Sequence, residues 1–166
     1  MAEEQSNNMS NGHSAGAQRA FAIRRIYTKD VSFESPNAPA IFGEEKWNPE
    51  VSMSLHNQVA ALGGDIYEVV IAITITAKLG ERNAYLVEVQ QAGEFQAVGF
   101  PEDELRELLG VYCPGILYPY LREAISNLVA KGGFPPLMLA PVNFEALYQQ
   151  HQQQQAQQQA RPRADA

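Results

Sequence analysis

From Asp65 to Gln91 the chain reads DIYEVVIAITITAKLGERNAYLVEVQQ, and its first half alternates throughout. Tyr67, Val69, Ile71, Ile73, Ile75, Ala77 and Leu79 fall on one side. Glu68, Ala72, Thr74, Thr76 and Lys78 fall on the other, joined by Ile66 and Val70. Period two with many β-branched residues predicts a long strand with one wet face. Gly80 and Asn83 mark a turn, and a second alternating run follows. There Tyr85, Val87 and Val89 oppose Leu86, Glu88 and Gln90. Both apolar rows share a face only if paired residues have numbers of equal parity. An odd hairpin loop, of about three or five residues, is therefore expected.

The flanking segments extend this pattern. Phe21, Ile23, Arg25 and Tyr27 alternate with Ala22, Arg24 and Ile26, then Val31 and Phe33 with Asp30, Ser32 and Glu34. This predicts a first strand with a bulge near Thr28-Lys29, ended by the prolines of Ser35-Pro36-Asn37-Ala38-Pro39. Residues 40–49 carry Ile41, Phe42 and Trp47 without a period, as a crossing loop that packs its aromatics would. Val51, Met53 and Leu55 alternate with Ser52, Ser54 and His56 as a second strand, and Gly63-Gly64-Asp65 turns the chain into the hairpin. The fourth strand is expected to continue past Gly93 to Gly99, with Gly93 at a bulge.

The period then changes. Pro101 followed by Glu102, Asp103 and Glu104 reads as a helix start, and Leu105, Leu108, Leu109 and Tyr112 form its apolar stripe. Cys113-Pro114-Gly115 is expected to end that helix. A second begins at Pro114 or Pro119, with Leu121, Ile125, Leu128 and Val129 as its apolar face; from the earlier start, Pro119 is expected to kink it. It stops at Gly132-Gly133, and a proline-locked connector leads to Asn143, the N-cap of a third helix. Four strands followed by two to three helices, without βαβ alternation, predict an α+β fold: a four-stranded antiparallel sheet with helices on one face. Residues 1–18 lack any apolar period and are expected to be a disordered tail. Residues 19–150 form the domain, and the glutamine-rich residues 151–166 a second disordered tail.

Charge and composition narrow the function. The formal net charge is -7, which argues against a nucleic-acid backbone as main partner and favours a basic protein surface. One cysteine, Cys113, excludes an internal disulfide framework. There is no run of about 18 apolar residues to insert in a membrane, and the N-terminus lacks the basic and apolar regions of a signal peptide. A cytoplasmic protein is expected. His13, His56 and His151 have no metal-ligand spacing. Cys113 has no basic neighbour to stabilise a thiolate, and no glycine-rich phosphate loop is present. The reading is of no catalytic residues, no metal, no cofactor, and a binding module rather than an enzyme.

Five stretches, in order and over residues 21–148, resemble the SecB family of protein-export chaperones. They are RRIYTKDVSFESPNAP, YEVVIAITITA, LVEVQQAG, YCPGILYPYLRE and LAPVNFEALY. The resemblance implies a homotetramer, a dimer of dimers, that holds unfolded preproteins without hydrolysing nucleotide and passes them to the SecA ATPase. It implies an acidic sheet surface read by a zinc-bearing basic tail of SecA, at Asp30, Glu34, Leu86 and Glu88. The zinc is the partner's. For a client-holding surface the candidates are Phe42, Trp47, Tyr112, Tyr118, Tyr120, Leu121 and Leu137, since such a surface needs apolar groups that tolerate many sequences. Two alternatives stand beside export: service to a toxin–antitoxin pair, and a small-molecule-binding protein of unknown activity.

Overall fold

The computed structural model of the chain describes residues 18–160. The four strands are β1 (Ala20–Glu34), β2 (Glu50–Gly63), β3 (Ile66–Leu79) and β4 (Arg82–Val98). They form one sheet in the order β1-β4-β3-β2, every neighbour antiparallel. The helices follow: α1 (Glu102–Glu107), a π-helical turn (Leu108–Tyr112), α2 (Cys113–Lys131) and α3 (Phe144–Ala160). A short 3-10 turn, Ala40–Gly43, lies in the crossing loop. The α+β fold expected from the pattern is the fold observed.

The central hairpin pairs Ile75 with Val87 and Ile73 with Val89, so both apolar rows share one face. Val69, Ile71, Ile73, Ile75, Val87 and Val89 are all buried there. Leu117, Leu121, Ile125 and Val129 of α2 close the other side of the same core. The expected odd loop is corrected. Leu79 pairs with Arg82, leaving only Gly80 and Glu81 between them. Parity is restored by an extra residue in β4, because Ala77 pairs with Tyr85 while Lys78 pairs with Asn83. Gly80, at φ 59°, supplies the left-handed backbone that a two-residue turn needs. A tight turn plus a bulge therefore does the work of an odd loop.

β1 carries the bulge expected near Lys29, with Thr28 opposite Gln91 and Asp30 opposite Gln90. A second shift, between Ile23 and Arg25, was not anticipated and corrects the alternation. Arg25 and Tyr27 pair with Glu94 and Ala92, so they leave the face that holds Phe21 and Ile23. Gly93 is not a bulge: it stays in register with Val69 and Ile26. A Cβ there would come within 2.6 Å of the Phe95 ring and 2.9 Å of Leu117, so it is a point of close approach.

Cys113-Pro114-Gly115 does not stop the first helix. The chain passes from α1 through the π turn straight into α2. A wider turn suits Pro114, which has no N–H to offer. Pro119 lies inside α2, and the helix runs past it to Lys131. α3 begins as expected, with the Ala146 N–H donating to Asn143 Oδ1 at 3.0 Å. It continues through the glutamines to Ala160, where composition predicted a disordered tail from residue 151. Glutamine has good intrinsic helix propensity, which a low-complexity reading ignores. The tail segments 1–17 and 161–166 lie outside the described residues.

Candidate functional site

The face of the sheet away from α2 is set by the even-numbered residues of the hairpin. Glu88 lies on it, half-buried, opposite Ser32 on β1 and Thr74 on β3. The Thr74 hydroxyl donates to its carboxylate at 3.0 Å. Leu86 lies one row along, opposite Glu34, and Gln90 one row the other way, opposite Asp30. The second bulge returns β1 to this phase after the first has reversed it over residues 25–28. The sheet therefore brings Asp30, Glu34, Leu86 and Glu88 together on two adjacent strands. Thr76 and Ser52, Thr74 and Ser54 continue these rows across β3 and β2. Among the described residues, Asp30, Glu34 and Glu88 enter no ion pair.

The other end of the same face is different. Glu68 and Glu94 stand directly opposite each other on β3 and β4, an arrangement that like charges disfavour. Each is compensated. Lys29 Nζ lies 2.6 Å from Glu68, and the Tyr27 hydroxyl donates to its second oxygen. Arg25 and Arg24 reach Glu94 at 3.1 and 3.5 Å. The bond from Lys29, then that from Tyr27, holds the Glu68 carboxyl below its ordinary range. Burial, and then the bond to Glu68, pushes the Tyr27 hydroxyl up to about 12. The polar face thus has a neutralised end and an acidic end.

The apolar candidates divide into three groups. Phe42 and Trp47 meet in the crossing loop, their rings 5.1 and 5.3 Å from that of Phe134. Tyr85 packs against Phe134 at 5.0 Å from below. Phe42 is 50% exposed and Trp47 38%, while neighbouring Ile41 is buried and anchors the loop. Leu137, in the connector beyond Phe134, packs partly against the core. Tyr112 and Tyr120 form a second exposed group on the helix segment; Tyr112 meets Phe21 edge-on at 5.6 Å. Tyr118 and Leu121 do not reach the surface. Leu121 faces the sheet, and the Tyr118 hydroxyl donates to the Ala140 carbonyl while its ring meets Phe144 at 5.7 Å. They hold the connector and α3 in place.

Two features escaped the sequence reading. Phe134 is the hub of the aromatic cluster, yet it stands in a proline-rich connector where no period singles it out. The second is β2. Its inward row, Val51, Met53, Leu55 and Val59, lies on the helix side of the sheet, but α2 covers β4 and β3. Val51, Met53 and Val59 are left exposed. Beyond Leu55 and Val59 this row opens into a cleft of about 570 Å³, closed on the far side by Leu109, Phe144 and Leu147. The signal available was alternation in a strand at the edge of the sheet, without a second helix to cover it. Cys113 is buried, and burial pushes its thiol up to about 12, so it carries no nucleophile. No cluster of metal ligands exists among the described residues.

The family described as "Preprotein translocase subunit SecB" matches residues 14–155. A protein-export protein SecB of Methylococcus capsulatus is 58% identical over 87% of this chain and 92% of its own length. That of Nitrosococcus oceani is 52% identical over 93% of each. A solved structure of a Mycobacterium tuberculosis SecB-like chaperone, in complex with a peptide of the HigA1 antitoxin, matches with a TM-score of 0.62. It is 20% identical, covers 74% of this chain and 90% of its own, and speaks for the fold alone.

Proposed function

The chain belongs to the SecB family of protein-export chaperones, and from that premise we propose that it holds unfolded precursor proteins on its helix side and docks the SecA ATPase on its acidic sheet face. The observation that carries this reading is the division of the surface. Unpaired carboxylates occupy one face of the sheet, and exposed apolar groups the other. Two partners of opposite chemistry can then be bound together.

Holding needs no chemistry. Many weak apolar contacts, at Phe42 and Trp47, along β2 and at Tyr112 and Tyr120, retain a chain that folds slowly. A client that folds fast buries its apolar segments and leaves. A homotetramer, assembled as a dimer of dimers, multiplies these contacts, and avidity raises the affinity without any new kind of contact. The working unit is the domain of residues 19–150, in the cytoplasm. No helix among the described residues is long and apolar enough to cross a membrane.

Docking of SecA is electrostatic in this account. The zinc-bearing basic tail of SecA meets Asp30, Glu34 and Glu88, with Leu86 giving apolar contact among them. The substitution Glu88→Lys reverses one charge at the centre of this set. It is expected to weaken SecA binding about tenfold or more at low salt, while retention of an unfolded client is unchanged. Titration calorimetry with SecA and a client-retention assay on the same variant make the test. Equal loss of both activities contradicts the separation of faces.

A further inference from the structure

The acids on the polar face differ in what stands beside them, and the difference changes at one residue. We infer that Lys29 sets the boundary of the acidic docking face, keeping Glu68 out of it and so limiting how much positive charge the face accepts. This rests on the SecA-docking reading above.

Lys29 is the extra residue of the β1 bulge, lying between Thr28, opposite Gln91, and Asp30, opposite Gln90. On one side of it come Asp30 and Glu34, neither in an ion pair among the described residues; on the other, Tyr27 and Arg25, both bonded to carboxylates. Its ammonium crosses β4 to reach Glu68 on β3 at 2.6 Å. Without it, Glu68 would present a carboxylate held only by the Tyr27 hydroxyl, on the same face as Glu88. The Glu68 row lies six residues along the strands from the Glu88 row, roughly 20 Å, so the Lys29 ammonium opposes a basic segment that runs along the face beyond Glu88 rather than one seated at Glu88 itself. Lys29 is therefore a specificity-determining residue that lowers affinity for a basic partner. A purely structural lysine, placed to relieve the Glu68–Glu94 pair, predicts no gain on its removal.

The test is a gain of binding, which misfolding does not mimic. The zinc-loaded C-terminal segment of SecA is titrated into the full-length chain and three variants, at about 50 mM and 500 mM salt. Lys29→Gln is expected to bind about three- to fivefold more tightly at low salt, with the gain gone at high salt. In the double variant Lys29→Gln/Glu68→Gln affinity returns to within about twofold of the parent, because one charge of each sign has left. The double variant also keeps the neutral balance opposite Glu94, so it serves if the single variant folds poorly: affinity above the parent's by more than that margin assigns no part to Glu68 and overturns the inference. Unchanged or weaker binding by Lys29→Gln, with Glu88→Lys still weakening the parent, overturns the inference and leaves the docking face standing. If neither substitution changes affinity, the docking face itself fails.

Discussion

Gln91 is the buried polar side chain of the described core, on the apolar row of β4 between Val89 and Gly93. It is there for the bulge. Its Nε2 donates to the Tyr27 carbonyl at 2.9 Å, and its Oε1 accepts from the Thr28 hydroxyl at 3.5 Å. A bulge takes backbone groups out of the ladder, and this amide satisfies one of them. Gln91→Leu keeps the volume and removes the donor, so it is expected to cost about 1–3 kcal/mol, read as a lower urea midpoint. An unchanged midpoint would mean the bulge does not depend on it. The lone thiol makes a second residue-scale case. With its proton held until about pH 12, Cys113 should stay unreactive to Ellman's reagent in the folded protein at pH 8 and react at once in guanidinium. Prompt reaction in the folded state would place it at the surface, against the packing described. The sequence could set Cys113 aside as a nucleophile because nothing cationic flanks it. Leu121 stands on the periodic apolar face of the second helix, but the sequence could not distinguish Tyr118 from Tyr112 and Tyr120, since all three sit in one aromatic-rich helical stretch and only the facing of the turn separates them.

At the scale of elements, the strands were legible and their irregularities were not. The alternation from Tyr67 to Val89 fixes which residues face the core, because a one-residue slip would turn every one of them outward. It says only that the parity must balance, and Gly80-Glu81 with the β4 bulge balances it as well as a longer loop would. The same holds for the π turn. Pro114 and Gly115 carry strong signals for a break, yet Leu109, Leu117 and Leu121 are buried along one continuous helical path and outweigh them. α3 shows the opposite balance. Past Tyr148 it is exposed on every side, with pairs such as Gln155 and His151, 2.9 Å apart, as its internal support. Truncation after Gln155 is accordingly expected to leave the unfolding free energy within about 0.5 kcal/mol of the full chain, measured by urea denaturation. A larger loss would show that the glutamines contact something beyond their own helix.

For the molecule as a whole, a single sheet covered on one side is what the proposed service to two partners requires. α2 spans β4 and β3, which leaves the polar face free for a charged partner and the apolar row of β2 open beside the helix layer. Tyr112 and the Phe42–Trp47 group stand at opposite ends of α2, roughly 28 Å apart for a helix of this length, with Tyr120 between them. An extended client segment of about nine residues covers that span. The acidic face was legible from parity and from the family likeness of the strands. The breadth of the apolar surface was not, because periodicity marks Val51 and Met53 as core positions and gives no sign that no helix reaches them. The direct measurement is stopped-flow refolding of a slow-folding precursor with the chaperone added at four chains per client, one unit of the proposed tetramer. Retarded refolding that grows with chaperone concentration is the predicted result; a precursor that folds at its unassisted rate would contradict the account.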